Sequence, residues 1–149
     1  MSKIWLFIAQ GFGSGRSPWA PGTFGTLVAI PIYLLMAHLP LDYYLLLTAA
    51  FTGFGFWVCD VASKQLGEHD HPSIVWDEIV GFLWVMVLVP STWLWILAAF
   101  LLFRLFDIWK PWPISWADRT IKGGTGVMVD DLIAALFAWI VLQIALYFI

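Results

Sequence analysis

Charged residues are scarce in this sequence: Asp, Glu, Lys and Arg make up 11% of the 149 residues, and the formal net charge is -3. A soluble domain carries roughly 25% charged residues, which argues against that class. A nucleic-acid-binding domain needs a basic stripe, which the negative net charge argues against. The single cysteine, Cys59, excludes an intrachain disulfide, and its apolar neighbours favour a packing residue over a reactive thiol.

Apolar residues are correspondingly abundant. They make up 62% of the sequence, against roughly 45–50% in a soluble domain. A chain of this size could not hide so much apolar surface from water, so we expect lipid to cover it. The segment Ile4–Ala9 is too short to predict a cleavable signal peptide. We therefore expect one domain, residues 1–149, that is an all-α integral membrane helical bundle.

Five apolar stretches predict five helices. They are Phe24–Ala37, Tyr43–Cys59, Ile79–Val89, Trp93–Phe103 and Leu132–Ile149. Pro40 separates the first pair and Pro90 the second, because proline cannot continue a helix. At about 1.5 Å per residue, the longer stretches nearly cross a thin hydrocarbon core, whereas the two stretches beside Pro90 are too short to cross alone.

The stretches beside Pro90 allow two geometries. One interrupted span would place Asp77 and Asp107 on opposite membrane faces, whereas a hairpin returns both to one face. The sequence Pro-Ser-Thr at 90–92 is typical of a turn, so we expect the hairpin. The first two helices then form a second hairpin with its tip at His38–Asp42.

The basic residues indicate which end of the bundle faces the cytoplasm. In the two-hairpin arrangement all seven lie at one end, with the polar islands, and the two tips and the C-terminus carry none. They are Lys3, Arg16, Lys64, Arg104, Lys110, Arg119 and Lys122. Because basic residues stay on the cytoplasmic side, we expect the polar loops on that face.

The first polar island, Gly11–Thr23, is a candidate phosphate-binding loop. Its glycines let backbone N–H groups converge on an anion, Ser14 and Thr23 add hydroxyl donors, and the helix expected near Phe24 presents its positive end there. The alternative is a tight turn that lets helices pack. The island is neither a Rossmann fingerprint nor a P-loop, because it has no surrounding βαβ unit and no Gly-Lys-Ser/Thr.

The second island contains His69, His71, Asp77 and Glu78. The two acids are expected to open the third helix, where they either cap it or bind a ligand, because ionised groups at a membrane boundary are costly unless bound. Neighbours on a helix diverge by about 100°, so we expect only one of the two to face any given metal ion. The histidines could ligate metal, transfer protons or contact phosphate, or be interfacial residues at a turn.

The third island places Arg104 and Asp107 three residues apart, on one helical face. Lys110 precedes Pro111 and is expected to end the helix. Alternatively, Arg104 and Lys110 extend their charged ends to the interface with Asp107 as a partner.

In the fourth island, Asp130 and Asp131 are expected to begin the last helix, with capping again the alternative. Clustered carboxylates repel one another unless a cation neutralises them, and oxygen ligands suit Mg²⁺, which also binds phosphate. The candidate metal ligands are Asp77, Glu78, Asp107, Asp130 and Asp131, and the candidate phosphate-binding side chains are Ser14, Thr23, Arg104, Lys110 and Lys122.

The four islands together resemble the phosphatidylglycerophosphatase A family. The resemblance lies in GFGSGRSPWAPGTFGTL at 11–27, HDHPSIVWDEIVG at 69–81, FRLFDIWKPWPI at 103–114 and DRTIKGGTGVMVDD at 118–131. It implies a Mg²⁺-requiring lipid phosphomonoesterase of the bacterial inner membrane that converts phosphatidylglycerophosphate to phosphatidylglycerol.

On this hypothesis the candidate catalytic residues are Asp77, Glu78, Asp107, Asp131, His69 and His71. Direct attack by water and a covalent phospho-enzyme are both open, as is association into a homo-oligomer. The alternative function is a small Mg²⁺-binding channel or transporter subunit. Such a protein would place its carboxylates midway through its membrane spans, whereas here they flank the apolar stretches.

Overall fold

The computed structural model describes residues 3–16, 21–67, 74–121 and 123–149. Helices account for 81% of these residues, and no strand occurs among them. The prediction of an all-α fold is confirmed.

The described residues form seven α-helices and one short 3-10 turn. The helices are α1 (Lys3–Ala9), α2 (Pro21–Met36), α3 (Leu41–Leu66), α4 (Trp76–Val85), α5 (Trp93–Trp109), α6 (Ile114–Thr120) and α7 (Gly123–Tyr147), with the 3-10 turn at Ser14–Arg16. The expected count of five was too low, because α1 and α6 are short helices outside the long apolar stretches. The start predicted for the last helix, Leu132, was also wrong, because the glycine-rich segment before it is helical.

Helix α7 lies at the centre of the arrangement and packs against α3, α4, α5 and α6. Glycines allow some of these helices to approach closely. A Cβ atom on Gly81 would lie 2.6 Å from Cζ of Phe103, and one on Gly55 would lie 2.8 Å from Cε of Met128. The close contacts of α4 with α5 and of α3 with α7 therefore require glycine, which has no side chain, at positions 81 and 55.

Helices α4 and α5 form the expected hairpin. Glu78 at the start of α4 and Arg104 near the end of α5 form an ion pair, with 3.8 Å between Oε1 and Nη1. At the other end, the Tyr33 hydroxyl of α2 is hydrogen-bonded to the Ser91 hydroxyl in the α4–α5 turn, at 2.7 Å. The polar ends of α4 and α5 therefore lie together, away from the turn.

Two helical segments are long and apolar enough to cross a membrane, namely Leu41–Leu66 and Thr125–Tyr147. The apolar segment Gly22–Met36 is shorter. Cys59 lies in the first of these segments and is buried, as a packing residue should be.

Candidate active site

The start of α4 carries two of the predicted site residues. Asp77 and Glu78 lie in its first turn, as predicted. The backbone N–H of Val75 donates to the Ala9 carbonyl at 2.8 Å, and the Trp76 indole N–H donates to the Phe51 carbonyl at 3.1 Å. These bonds hold the first turn of α4 against α1 and α3.

Asp130 and Asp131 lie inside α7 rather than at its start. Eight residues separate Gly123 from Asp131, which is about 12 Å along a helix axis. Capping and the helix dipole act only within the first turn, so neither explains this acid pair. Both residues are 2% exposed. The position predicted from the sequence was wrong, but the proximity of the pair to the other acids was right, as described below.

The end of α5 supplies the cations. The helix ends at Trp109, and Lys110 follows in the left-handed conformation with φ 52°, which confirms the predicted end. A guanidinium N–H of Arg104 donates to Asp107. The Lys110 ammonium donates to Asp130 Oδ2 at 3.1 Å and lies 3.9 Å from Asp107 Oδ1. Because the Arg104 side chain is only 14% exposed, extension to the membrane interface does not account for it.

The five predicted metal-ligand candidates form two groups that share one member. Asp77, Asp130 and Asp131 can each offer an oxygen within 4.8 Å of the others, and so can Glu78, Asp107 and Asp131. Among the residues that the structure describes, the buried oxygens of these groups without a hydrogen-bond partner include Oδ1 of Asp77, Oε2 of Glu78 and Oδ2 of Asp131. Buried polar atoms are normally paired, so these oxygens indicate a ligand.

Burial and crowding make ionisation of these acids unfavourable in the absence of a cation. Burial raises the pKa of Asp77 well above its usual range, and the Asp131 and Glu78 carboxylates add to the rise. Burial also raises the pKa of Glu78 from its ordinary value of 4.5 to about 7, even though Arg104 opposes the change. Burial alone would lower the pKa of Lys110, but Asp130 and Asp107 raise it above its usual range. Lys110 is therefore a permanent cation at neutral pH.

The donor set fits Mg²⁺. All the candidate ligands are carboxylate oxygens, which Mg²⁺ prefers, and some of these oxygens are buried without another partner among the described residues. Arg104 and Lys110 lie against the same carboxylates. The cluster can therefore bring a divalent cation close to two positive side chains.

Two residues near the cluster were missed by the sequence-based predictions. A Cβ atom on Gly22 would lie 2.9 Å from Nη2 of Arg104 and 3.1 Å from Oε1 of Glu78, so the start of α2 lies against this ion pair. Asp118 lies 4.0 Å from the Lys110 ammonium. Gly22 is distant in sequence from Arg104 and Glu78, and Asp118 lies on α6, which the segment Pro111–Pro113 separates from Lys110. No helical spacing therefore signals either contact.

The glycine island has two separate roles in the structure. The Ser14 hydroxyl donates to the Gly11 carbonyl at 2.8 Å, and a Cβ atom on Gly11 would lie 2.8 Å from Cγ2 of Val75. This part is a packing turn, and the contacts described for Ser14 do not reach the acidic cluster. Thr23, by contrast, is in the first turn of α2 and directly follows Gly22, the residue that lies against Arg104. The phosphate-binding roles of both hydroxyls remain predictions.

Three predicted site residues lie outside the described part of the chain. They are His69, His71 and Lys122. Their roles also remain predictions.

Together, the fold and the cluster define a helical protein with two candidate membrane spans and a buried group of carboxylates and basic side chains that suits a divalent cation and an anion. The model of the family Phosphatidylglycerophosphatase A matches residues 7–146. The chain belongs to this family.

Curated relatives agree with the family assignment. The chain is 46% identical over 140 residues to phosphatidylglycerophosphatase A of Escherichia coli (strain K12), covering 93% of this chain and 81% of the relative. It is 46% identical over 136 residues to the protein of the same name in Haemophilus influenzae, covering 90% and 83%. It is also 42% identical over 149 residues to a Bacteroides thetaiotaomicron protein provisionally named a phosphatidylinositol-3-phosphatase, covering 94% and 92%. No solved structure matches the chain.

Proposed function

We propose that the protein is a Mg²⁺-dependent lipid phosphomonoesterase that hydrolyses phosphatidylglycerophosphate to phosphatidylglycerol and phosphate. The observation that carries this proposal is the acidic cluster with its two basic side chains, found in a chain 46% identical to two proteins named phosphatidylglycerophosphatase A.

We also propose that the bundle is embedded in the bacterial inner membrane with the acidic cluster at the cytoplasmic face. The two apolar segments in α3 and α7 support membrane insertion. So does a row of exposed apolar side chains along α5, made up of Leu94, Leu97, Leu101, Leu105 and Ile108. Trp109, Trp112 and Trp116 are exposed where α5 ends, a position that suits the membrane interface. The basic residues at the same end favour the cytoplasmic side.

Asp77, Glu78, Asp107, Asp130 and Asp131 would hold Mg²⁺, which would supply Lewis-acid polarisation of the phosphoryl group when bound. Arg104 and Lys110 bind the phosphate oxygens by charge-assisted hydrogen bonds and stabilise the charge that develops on them. The bonds from Arg104 to Asp107 and from Lys110 to Asp130 hold both cations in position before the substrate arrives. The substrate's acyl chains remain in the bilayer.

Proton transfer is assigned to a carboxylate of the cluster or to His69 or His71. In the direct route, water attacks the phosphorus, the bond from phosphorus to the glycerol oxygen breaks, and that oxygen takes a proton to give phosphatidylglycerol. In the covalent route, a side chain displaces the same glycerol oxygen, and water then hydrolyses the phospho-enzyme to release phosphate. Acid quenching with substrate labelled in the terminal phosphate separates the two routes. A parallel alkaline quench is needed, because phosphohistidine is lost in acid and an aspartyl phosphate is lost in base. Radioactivity retained on the denatured protein after either quench indicates the covalent route, and its absence after both indicates direct attack.

The function is tested by measuring phosphate release from phosphatidylglycerophosphate with the purified full-length protein in detergent. We expect EDTA to stop the release and added Mg²⁺ to restore it. Because one relative has a different provisional name, phosphatidylinositol 3-phosphate is the comparison substrate, and we expect slower release from it. Faster release from the inositol lipid, or none from either, would contradict the proposed substrate.

One observation favours the alternative of a Mg²⁺ channel or transporter subunit. Asp130 and Asp131 lie inside the apolar segment Thr125–Tyr147, not before it. Mg²⁺ uptake into vesicles that contain the protein tests this alternative. Phosphate release without uptake supports the phosphatase, and uptake without phosphate release supports the channel.

A further inference from the structure

We propose that the acidic cluster holds two divalent cations, with Asp131 as the carboxylate that bridges them. The inference deepens the metal-dependent function proposed above and rests on it. It concerns the number of ions and the residue between them, which the family assignment leaves open.

The geometry of the five carboxylates supports two positions. Asp77 and Asp130 form one group with Asp131, and Glu78 and Asp107 form the other group with Asp131. Within each group, one oxygen per residue lies within 4.8 Å of the others. Only Asp131 belongs to both groups, and a carboxylate has two oxygens with which to bind two ions.

The order of residues along α4 explains why the acids divide in this way. Asp77 and Glu78 are consecutive, so their side chains point about 100° apart around the helix axis. Asp77 meets the acid pair of α7, and Glu78 meets Asp107 of α5 as well as Asp131. A single ion could bind only one of the Asp77 and Glu78 carboxylates, whereas two ions could bind both.

Unpartnered oxygens occur in both groups. Asp77 is 4% exposed and its Oδ1 has no hydrogen-bond partner among the described residues. The same is true of Oδ2 of Asp131, which is 2% exposed, and of Oε2 of Glu78, whose side chain is 12% exposed. A buried carboxylate oxygen without a partner is destabilising. One ion bound in the first group would leave Oε2 of Glu78 buried without a partner.

The net charge of the cluster also favours two divalent cations. Five carboxylates face two cationic side chains, Arg104 and Lys110, which leaves an excess of three negative charges when all the acids are ionised. One divalent cation would still leave a net negative site, which repels a phosphate dianion. A second cation offsets that remaining negative charge even when Asp118, 4.0 Å from the Lys110 ammonium, is counted, so that the site no longer repels the dianion.

Each group also accepts a hydrogen bond from a basic side chain. Lys110 donates to Asp130 in the first group, at 3.1 Å. Arg104 donates to Asp107 in the second group and lies 3.8 Å from Glu78. A phosphate that bridges two ions, a common arrangement in phosphatases, would therefore meet one cation on each side.

The test uses Mn²⁺ as the probe, because it replaces Mg²⁺ in oxygen sites and is paramagnetic. The purified full-length protein in detergent is stripped with EDTA and titrated with Mn²⁺, and the free ion is measured by electron paramagnetic resonance. We expect two Mn²⁺ per chain, with the exchange-coupled spectrum of two ions that share a ligand.

Three variants assign the positions. Asp130→Asn and Glu78→Gln should each reduce the bound Mn²⁺ to about one per chain, and Asp131→Asn should remove the coupled spectrum and weaken binding of both ions. Asp42→Asn is the matched control, because Asp42 is an exposed acid in the first turn of α3, at the hairpin tip, and this variant should still bind two ions. Circular dichroism checks that each variant keeps its helix content.

The possible outcomes separate this inference from the proposed function. One Mn²⁺ per chain in a protein that hydrolyses the lipid would overturn the two-ion inference and leave the function standing. Two ions without coupling, unaffected by Asp131→Asn, would overturn the bridging role. Two coupled ions in a protein that hydrolyses no lipid phosphate would support the inference and overturn the proposed function.

Discussion

Glu78 at the start of α4 and Arg104 near the end of α5 form an ion pair, with 3.8 Å between Oε1 and Nη1. The pair connects the open ends of the helical hairpin, and Gly22 of α2 lies against it. Arg104 also binds Asp107, so the same guanidinium contacts acids from two helices. The position of the Arg104 guanidinium therefore depends on α2, α4 and α5.

Asp107→Asn should abolish lipid phosphate hydrolysis and leave the fold intact. The substitution removes a metal-ligand candidate and the charged partner of Arg104. Loss of one preorganised electrostatic group typically costs about 10²- to 10³-fold in kcat, and we expect at least that loss. The measurement is kcat in detergent, with circular dichroism to check folding and Asp42→Asn as the control. Near-normal turnover would remove Asp107 from the site.

Gly22→Ala should weaken catalysis by displacing Arg104. The new Cβ atom would lie 2.9 Å from Nη2 of Arg104, so the guanidinium must move. A displacement of about 1 Å at an active site can cost roughly 10²-fold in rate. We expect a large fall in kcat/KM with little change in the melting temperature. Gly53→Ala is the matched control, since a Cβ atom there has no neighbour within 4 Å. Equal kcat/KM values for the two variants would contradict a close contact between Gly22 and Arg104.

Lys110→Ala should weaken binding of the phosphate group, because Lys110 is the cation that faces Asp130 and Asp107. The expected result is an increase of about tenfold or more in the inhibition constant of inorganic phosphate, since a charge-assisted hydrogen bond contributes roughly 1.5–3 kcal/mol. Lys64→Ala removes a lysine whose side chain is 78% exposed and should change nothing measurable. Similar inhibition constants for wild type and Lys110→Ala would contradict the assigned role.

Mg²⁺ should stabilise the protein more at pH 8 than at pH 5. The pKa of Glu78 is raised in the fold from 4.5 to about 7, so the folded protein holds this proton more tightly than the unfolded chain. Without metal, the resulting stabilisation is complete below pH 4.5 and is lost as the pH rises to about 7. A divalent cation replaces the proton. The melting temperature is measured with Mg²⁺ and with EDTA at both pH values. An equal rise in melting temperature on adding Mg²⁺ at pH 5 and pH 8 would contradict this prediction.

Local patterns were sufficient to predict part of the site. Arg104 and Asp107 are three residues apart on α5, so their spacing predicted their common face, and Pro111 predicted that the helix ends at Lys110. The start of α4 was equally clear, because Asp77 and Glu78 immediately precede its apolar run.

The rest depends on tertiary contacts. The glycines of the fourth island predicted a turn, yet packing against neighbouring helices makes that segment part of α7 and places Asp131 two turns inside it. Gly22 reaches the cluster from α2, which is distant in sequence, and Asp118 reaches Lys110 because the chain turns between α5 and α6. The helices α1 and α6 have only seven residues each, which is too short for periodicity to distinguish them from loops.

The most direct test of the account is whether the polar ends of the helices face the cytoplasm together. Single cysteines replace Lys64 and Trp112 at the polar end and Asp42 at the hairpin tip, all exposed positions, in a Cys59→Ala background. A thiol reagent that cannot cross membranes is applied to right-side-out and inverted vesicles. We predict that positions 64 and 112 are labelled only in inverted vesicles and position 42 only in right-side-out vesicles. Labelling of positions 64 and 112 from opposite sides would contradict the account, because the cluster could not then form at one membrane face.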